Sequence, residues 1–419
     1  MTHPATTVCP AHAGEVAIDH HSAYYRDHVH ELMAELRSAC PIARSSAYGG
    51  FWIFTDYATV QAAANDDDLF ASTPGVAIPP APMPVPILPV ESDPPLTQKL
   101  RALVLPQLSP RAVEKLEPQM RQIATEQIDT FIERGRCDII RELTTPLPAR
   151  LILRMLGFDE SRWPVWVDAV HTLVHARAQQ PQVAAQAGGV LVDELTRERT
   201  LRQGRPADAD LYSAIVHGIV DGEPLDELQS IVYGLVMVIG GLDTTSGLTG
   251  NTLLQLLHDD GLRRRLVEDR SLLPAATEEF LRHDSPTLGL ARTVSRDAEF
   301  FGHQLREGDR ALLMWTAANR DPAMFDDPDT IDIDRAERRH MAFGVGAHRC
   351  LGSTLARRMF GVMIDEILTR LPDFRLAGEP ELFEEAGELR AVRRLPIAFT
   401  PGRPSGSSGA PSPGPTATS

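Results

Sequence analysis

One short segment, residues 343–352 with the sequence FGVGAHRCLG, constrains the fold of this chain more than any other. A helical pattern over 351–371 follows Cys350 directly, so its sulfur should lie at a helix N-terminus. The helix dipole and the neighbouring His348 and Arg349 would favour a thiolate, the form of cysteine that ligates metals. Three glycines allow a tight loop and a close approach to a ligand: Gly344, Gly346 and Gly352. The segment predicts a metal-ligating thiolate in preference to a free cysteine in a glycine-rich turn.

Composition places the chain among ordinary globular proteins and excludes some functions. Hydrophobic residues make up 43% and charged residues 23% of its 419 residues, and its net charge is -16. A nucleic-acid-binding protein needs a basic surface, so this charge argues against nucleic acid as a partner. The four cysteines form no C-x-x-C pair, which argues against zinc-ribbon and thioredoxin-like sites.

Targeting and membrane segments are not apparent in the sequence. The first residues have no apolar run typical of a signal peptide. The most apolar long stretch, Ile231 to Leu242, is too short to cross a bilayer, which needs about 20 residues. We therefore expect a cytoplasmic monomer that does not associate with membranes.

Helical patterns dominate the chain, and the strand-like pieces are short, so the predicted class is mainly α with small β-sheets. We expect residues 17–400 to form a single domain between a flexible N-terminus, residues 1–16, and a disordered Pro/Ser/Gly-rich tail, residues 401–419. The predicted helices lie within 110–134, 147–156, 163–178, 226–258, 274–283 and 351–371. The predicted strands are 51–54, 291–294, 310–314 and 395–399.

Residues 71–91 form an apolar segment rich in proline, which can build neither helices nor regular ladders. A long irregular stretch inside a compact domain is usually functional or a linker. We interpret it as a lid or a pocket wall, with apolar side chains turned to a ligand: Val76, Ile78, Val85, Ile87 and Leu88.

The helix predicted over 226–258 contains two adjacent glycines, Gly240 and Gly241, followed by Asp243 and Thr244. Glycines in mid-helix cost about 1 kcal/mol each relative to alanine, which suggests a purpose such as a kink or the close approach of a ligand. A carboxylate beside a hydroxyl could also relay protons. Taken alone, glycine-mediated helix packing with an incidental Asp explains the motif equally well.

Together these residues resemble the cytochromes P-450. The family signature F-x-x-G-x-H-x-C-x-G is matched by Phe343, Gly346, His348, Cys350 and Gly352, and the G-G-x-D-T motif is similar to that of camphor-type bacterial hydroxylases. The resemblance covers about residues 20 to 400. It implies the family's α-dominated fold, with haem b held between the kinked helix 226–258 and the helix after Cys350, the proximal iron ligand.

The resemblance also implies roles for other residues. Thr244 and Asp243 would relay protons to bound dioxygen beside Gly240 and Gly241, and Glu279, Arg282 and Arg335 would form a structural triad. Arg292, Arg101 and His348 would bind the haem propionates; Thr97, where many relatives have His, could donate a weaker bond. The residues implied to line the substrate pocket are Ile87, Leu88, Val236, Met237, Ile239, Thr287, Leu288, Gly289, Leu290 and Leu389.

The implied reaction is monooxygenation of a hydrophobic small-to-medium substrate, such as a terpenoid-like, aromatic or other natural product. The chain has no flavin or iron–sulfur segment of its own, so electrons would come from a separate ferredoxin and its NAD(P)H-dependent reductase. Arg349, Arg357 and Arg358 would attract an acidic ferredoxin. Two alternatives are a peroxide-driven haem-thiolate peroxygenase, against which Asp243 and Thr244 argue, and a non-catalytic haem sensor.

The remaining histidines and cysteines receive simpler interpretations. His20 and His21 are expected to be solvated, because no third ligand stands at metal-binding spacing in the sequence. Cys40 and Cys137 are expected to be small buried or half-buried residues.

Overall fold

A computed structural model describes residues 15–80, 83 and 85–405, and helices predominate in this part of the chain. Most of the predicted helices are present, with boundaries shifted by a few residues. The helices are α1 Ala23–Ala39, α2 Tyr57–Asn65, α3 Leu96–Ala102, α4 Pro110–Glu114, α5 Glu117–Asp129, α6 Pro146–Met155, α7 Trp163–His175, α8 Pro181–Arg202, α9 Leu211–Val216, α10 Glu227–His258, α11 Asp260–Glu268, α12 Leu273–Asp284, α13 Trp315–Ala318 and α14 Ser353–Arg370.

The strands are short and form five small sheets among the described residues. The largest has the order β1-β2-β3-β11-β8-β4, in which β11 is parallel to β3 and antiparallel to β8. The strands are β1 Glu15–Val16, β2 Ile42–Ser45, β3 Phe51–Phe54, β4 Phe70–Ala71, β5 Arg136–Asp138, β6 Ile219–Val220, β7 Glu223–Pro224, β8 Leu290–Val294, β9 Ala298–Phe300, β10 His303–Leu305, β11 Arg310–Leu313, β12 Arg375–Leu376, β13 Glu381–Leu382, β14 Val392–Arg394 and β15 Pro396–Ala398. The class is mainly α with small sheets, as predicted.

The two predicted terminal segments lie mostly outside the described residues. Of residues 1–16, only Glu15 and Val16 are described, and they pair with β2 as strand β1. Of residues 401–419, only 401–405 are described, and they form neither helix nor strand.

Helix α10 runs through the middle of the helical core. A capping box starts it: the Asp226 carboxylate accepts from the Gln229 amide, and the Gln229 side chain accepts from the Asp226 amide. The helix continues through Gly240 and Gly241, so the predicted kink does not interrupt it. The Thr244 hydroxyl donates to the Gly240 carbonyl at 2.8 Å within this stretch. Of the two glycines, Gly241 packs closely against Ile152 of α6, whereas Gly240 does not.

By length and composition, α10 is the one described helix that could cross a membrane. The prediction from Ile231 to Leu242 considered only part of it and underestimated its apolar length. In the fold, 67% of its most apolar window is buried inside the protein. Its side chains belong to the same large hydrophobic cluster as those of α6 and α14, so it is a core helix here.

Candidate functional site

The loop that carries Cys350 is built tightly against the sheet side of the molecule. The Cys350 amide donates to the Phe343 carbonyl at 2.8 Å, closing the loop on itself. Gly344 and Gly346 have φ of +63° and +74°, a region that disfavours other residues. A Cβ on Gly346 would also overlap with the Ala64 carbonyl oxygen. These two glycines are therefore required by backbone geometry.

The surroundings of the Cys350 thiol have opposing effects on its pKa. Burial raises its pKa, while the Gly352 amide and the Arg101 and Arg349 guanidiniums act to lower it. Helix α14 begins at Ser353, two residues later than predicted, so its N-terminus still lies next to the sulfur. A cation bound to the sulfur would lower the pKa of Cys350 further and keep the side chain in its thiolate form.

Cys350 opens onto a cavity of about 310 Å³ between α10 and the start of α14. Most of its walls are apolar. Predicted residues that line it are Arg101, Val236, Met237, Gly240, Gly241, Thr244, Thr287, Leu290, Arg292, Phe343, Gly344, His348, Cys350 and Gly352. Other lining residues, which no sequence motif indicated, include Pro89, Val90, Leu108, Ile152, Leu211, Thr245, Leu248, Pro286, Trp315, Leu355 and Met359.

Several predicted pocket residues do not line this cavity. Leu88 and Leu288 are buried in the core, and Leu389 is 7% exposed and pairs with Thr287 in an isolated bridge. Gly289 lies against the Leu313 backbone. Ile87 and Ile239 are also absent from the walls. Helical periodicity explains the position of Ile239, which lies on another face of α10 than the lining residue Gly240.

The two halves of the glycine pair have different surroundings. Gly240 has no atom within 4 Å of where a Cβ would stand, and it lines the cavity. A Cβ on Gly241 would overlap with the Ile152 side chain of α6. Gly241 thus allows close helix packing, whereas Gly240 leaves space for a ligand. Of the two interpretations of the motif, helix packing applies to Gly241 and the approach of a ligand applies to Gly240.

Two arginines and a histidine border the same cavity. Arg292 is 3% exposed, and burial lowers its pKa to about 10. It donates to the Ala291 carbonyl at 2.8 Å, and Arg101 donates to the Arg349 carbonyl at 2.6 Å. Among the described residues neither guanidinium forms an ion pair. Buried guanidiniums without a carboxylate partner are costly, so this wall is suited to an anionic ligand.

His348 and Thr97 differ in their relation to the cavity. His348 lines it, and its Nε2 lies 3.0 Å from the Ser72 hydroxyl. Thr97 is fully buried away from the walls, and its hydroxyl donates to the Ser92 carbonyl. Thr97 therefore cannot form the weak hydrogen bond to a propionate that was predicted for it. The hydroxyl near this wall is that of Ser72, which contacts His348.

Asp243 points away from the cavity, towards α7. Its Oδ1 lies 2.8 Å from His171 Nε2, and its Oδ2 lies 3.3 Å from His175 Nε2. Burial would raise the pKa of Asp243, but the two imidazoles outweigh it and hold the pKa below the ordinary value. His171 is 23% exposed, whereas Asp243 is 3% exposed. The carboxylate thus connects a partly solvated histidine to the helix turn that carries Thr244.

The predicted triad is assembled and buried. Arg282 Nη2 lies 2.7 Å and Arg335 Nε 3.3 Å from Glu279, whose side chain is 4% exposed. Both arginines also donate to backbone carbonyls of 326–330, the stretch before the cysteine loop. Next to it, Glu278 binds Arg357 of α14 and His340. These contacts fix the cysteine loop to α12 and α14.

Comparisons with known proteins agree with this geometry. A family model described as Cytochrome P450 matches residues 192–381. Cytochrome P450 107B1 of Saccharopolyspora erythraea is 34% identical over 311 residues, which cover 74% of this chain and 76% of that protein. The steroid C26-monooxygenase of Mycobacterium tuberculosis is 31% identical over 378 residues, 88% of this chain and 100% of that protein.

The chain belongs to the cytochrome P450 family. Its fold agrees with the crystal structure of CYP109E1 from Bacillus megaterium in complex with testosterone, with a TM-score of 0.82 at 26% identity over 90% of this chain and 100% of that one. P450 enzymes are haem-thiolate monooxygenases, so family membership implies haem iron. The residues present fit that group: a cysteine sulfur and two arginines without ion pairs share one cavity with largely apolar walls.

Proposed function

We propose that this P450 inserts one oxygen atom of dioxygen into a hydrophobic organic substrate of small to medium size. The observation that carries the proposal is the joint placement of Cys350 and Thr244 on one cavity whose other walls are mostly apolar. A metal-ligating sulfur and a hydroxyl on the facing helix are the two polar groups that such a reaction needs on either side of the reacting atoms.

Cys350 would ligate the haem iron, and Arg101, Arg292 and His348 would bind the propionates. Their placement around one cavity and the lack of a carboxylate partner for the arginines support these assignments. When bound, the haem supplies an iron centre that binds and activates dioxygen, with the thiolate favouring cleavage of the O–O bond. Gly344 and Gly352 leave room for a flat ring next to the sulfur.

Protons would reach the cavity through Asp243 and Thr244. The Thr244 hydroxyl faces the cavity while it donates to the Gly240 carbonyl at 2.8 Å, so it can exchange that bond for one to a ligand or a water. Because the two imidazoles lower its pKa, the Asp243 carboxylate is ionised at rest. It would accept a proton only transiently from the partly exposed His171 at 2.8 Å and pass it on towards Thr244. The same two residues were predicted from the sequence as a relay, whereas His171 and His175 were not.

The substrate would lie against Val90, Val236, Met237 and Leu290. An apolar cavity with few polar groups selects hydrophobic ligands. Two of the compared proteins are related to steroids: one is a steroid C26-monooxygenase, and the other was crystallised in complex with testosterone. We propose a terpenoid-like compound, of which steroids are one kind, an aromatic compound or another natural product of comparable size.

Electrons would come from a separate ferredoxin with its NAD(P)H-dependent reductase. The enzyme itself would be a monomer in the cytoplasm. The burial of α10 within the core supports a protein that folds without a membrane. Arg349 is exposed beside Cys350 and provides positive charge for an acidic partner.

The test is a panel of steroids, terpenoids and aromatic compounds titrated into haem-loaded protein, followed by turnover with dioxygen and a surrogate ferredoxin system. We expect a shift of the Soret band with at least one compound and a hydroxylated or otherwise oxygenated product. Product formed with peroxide but never with dioxygen and reductase would favour the peroxygenase. Spectral shifts without turnover under either condition would favour a sensor. Loss of the thiolate-type carbon monoxide spectrum in Cys350→His checks the ligand itself.

A further inference from the structure

We propose that His20, His21 and Glu388 form a binding site for a divalent transition-metal ion of the zinc type, separate from the Cys350 site. One ligand atom from each of the three residues lies within 4.8 Å of the others. The expectation that both histidines are solvated is wrong, since His20 is 0% and His21 4% exposed. The third ligand was not apparent in the sequence because it lies more than 360 residues further along the chain.

The state of His20 points to a ligand. Both of its ring nitrogens are buried, and neither has a hydrogen-bond partner among the described residues. A buried polar group without a partner costs free energy, typically about 1–3 kcal/mol, and native proteins rarely tolerate one without a reason. A metal ion bound to one nitrogen would satisfy an imidazole for which the described part of the chain supplies no hydrogen bond.

His21 is already oriented as metal-bound histidines are. Its Nε2 lies 2.8 Å from the Ile78 carbonyl, and because a carbonyl only accepts, this nitrogen carries the proton. In the neutral imidazole the lone pair is then on Nδ1, which is buried without a hydrogen bond. A ligating histidine usually donates its other N–H to a carbonyl or carboxylate in this way, which fixes the ring and its tautomer.

The charges around the two histidines leave room for a cation. Glu385, 2% exposed, has Oε2 at 3.4 Å from His21 Nδ1, and it accepts the amides of Ala178 and Gln179. Arg177 Nη2 lies 2.9 Å from both oxygens of Glu388. Two carboxylates and one guanidinium thus lie around the two histidines, and a divalent ion would offset the remaining negative charge. Imidazole nitrogens with carboxylate oxygens are a ligand set that Zn²⁺ accepts.

The site would hold four segments together at one edge of the fold. Ile78, in the proline-rich segment, donates its amide to Glu388 at 3.3 Å and accepts from His21. Arg177 follows α7, the helix that carries the partners of Asp243. A bound ion would therefore stabilise the position of Ile78 and the end of α7 together.

Zinc content is the direct test, on full-length haem-loaded protein treated with a chelator and then dialysed against Zn²⁺. We expect the wild type to retain one zinc per chain more than His20→Gln and Glu388→Gln, measured by elemental analysis alongside iron. His28→Gln removes an exposed histidine of α1 and should keep the wild-type zinc content. Histidines near the N-terminus are common to all four proteins, so their binding cancels in the comparison.

Two further measurements keep the proposal testable if one variant folds poorly. Zinc-edge X-ray absorption of the wild type should show imidazole scattering and ligands at about 2.0–2.2 Å. Zinc should also raise the melting temperature of the wild type and leave that of Glu388→Gln unchanged, because a ligand of the native state stabilises it. Equal zinc content in wild type and variants, or a spectrum without imidazole, would overturn the proposal. The carbon monoxide spectrum reports on Cys350 independently, so failure here and failure of the proposed function are distinguishable.

Discussion

Asp243 is the residue whose role depends most on partners outside its own helix. Its carboxylate lies between His171 and His175 of α7 and one residue before Thr244. If it passes protons towards the cavity, Asp243→Asn should lower dioxygen-dependent turnover by about a hundredfold, a typical effect of losing general acid–base help. Substrate-induced Soret shifts and the carbon monoxide spectrum should be retained, since neither requires proton transfer.

Asp168→Asn is the matched control for this variant, because Asp168 lies on α7 with its side chain exposed. It should turn over at the wild-type rate. Turnover by Asp243→Asn within twofold of the wild type would show that Asp243 only ties α10 to α7. Steady-state product formation at saturating substrate and reductase distinguishes the two results.

At the scale of single residues, local motifs predicted positions better than partners. Cys350, Thr244 and Arg292 line the cavity, because the loop, helix and strand that carry them are each encoded nearby in the sequence. The direction of Asp243 depends on α7, about 70 residues earlier, and no local pattern reports on it. The same holds for His20 and His21, which are grouped with Glu388, and His21 also contacts Ile78.

Helix packing makes opposite predictions for the two adjacent glycines of α10. A Cβ at 241 would overlap with Ile152 of α6, so Gly241→Ala should lower the free energy of unfolding by about 1–3 kcal/mol, as overpacking does. A Cβ at 240 meets nothing within 4 Å, so Gly240→Ala should leave stability equal or raise it by up to about 1 kcal/mol through helix propensity. Urea unfolding of the two variants measures both. Equal destabilisation of the two would contradict this division of roles.

The contact between α12 and α14 should depend on pH through Glu278. Burial would raise the pKa of Glu278, but Arg357 and His340 outweigh it and lower the pKa from 4.5 to about 2. Because the folded pKa is the lower one, the carboxylate stabilises the fold above about pH 4.5, and this contribution disappears as the pH falls towards 2. The melting temperature of Glu278→Gln should therefore lie below that of the wild type at pH 7, with a smaller gap at pH 3.

Glu114→Gln is the control for the pH experiment, since Glu114 is exposed on α4 and forms no ion pair among the described residues. Its melting temperature should follow the wild type at both pH values. A gap for Glu278→Gln that stays constant from pH 7 to pH 3 would mean that the ionised carboxylate is not what stabilises this contact.

Several helices were not predicted, among them α1 in spite of its clear apolar face, and α8. Its buried residues Ala184, Leu191 and Leu195 follow helical spacing, but Val183 and Val190 are more than 40% exposed on the other side. Apolar side chains on both faces obscure the periodicity on which helix prediction depends. By contrast, the capped and strongly apolar α10 was predicted to within one residue, starting at Asp226 instead of Glu227.

For the whole molecule, the proposed ferredoxin raises the question of how a protein of net charge -16 would attract an acidic electron donor. The three arginines predicted to attract a ferredoxin are not equivalent in the fold. Arg357 is held by both oxygens of Glu278 at 2.6 and 2.7 Å and lies over the Phe343 ring. Arg358 lies 2.9 Å from Glu117. Their charges are largely offset, whereas Arg349 is exposed and forms no ion pair among the described residues.

Arg349→Gln should therefore slow reduction by a ferredoxin more than Arg358→Gln does. At low salt the two rates should differ by about tenfold, because an unpaired charge on the protein attracts an acidic partner more strongly than a paired one. The difference should shrink as ionic strength rises and the Debye length falls. Stopped-flow reduction under carbon monoxide measures the rate, with Soret titration to verify unchanged substrate affinity. Arg136→Gln, an exposed arginine of β5, should reduce at the wild-type rate. If Arg349→Gln and Arg136→Gln behave alike, the donor approaches a different face, and the charge beside Cys350 serves only the thiolate.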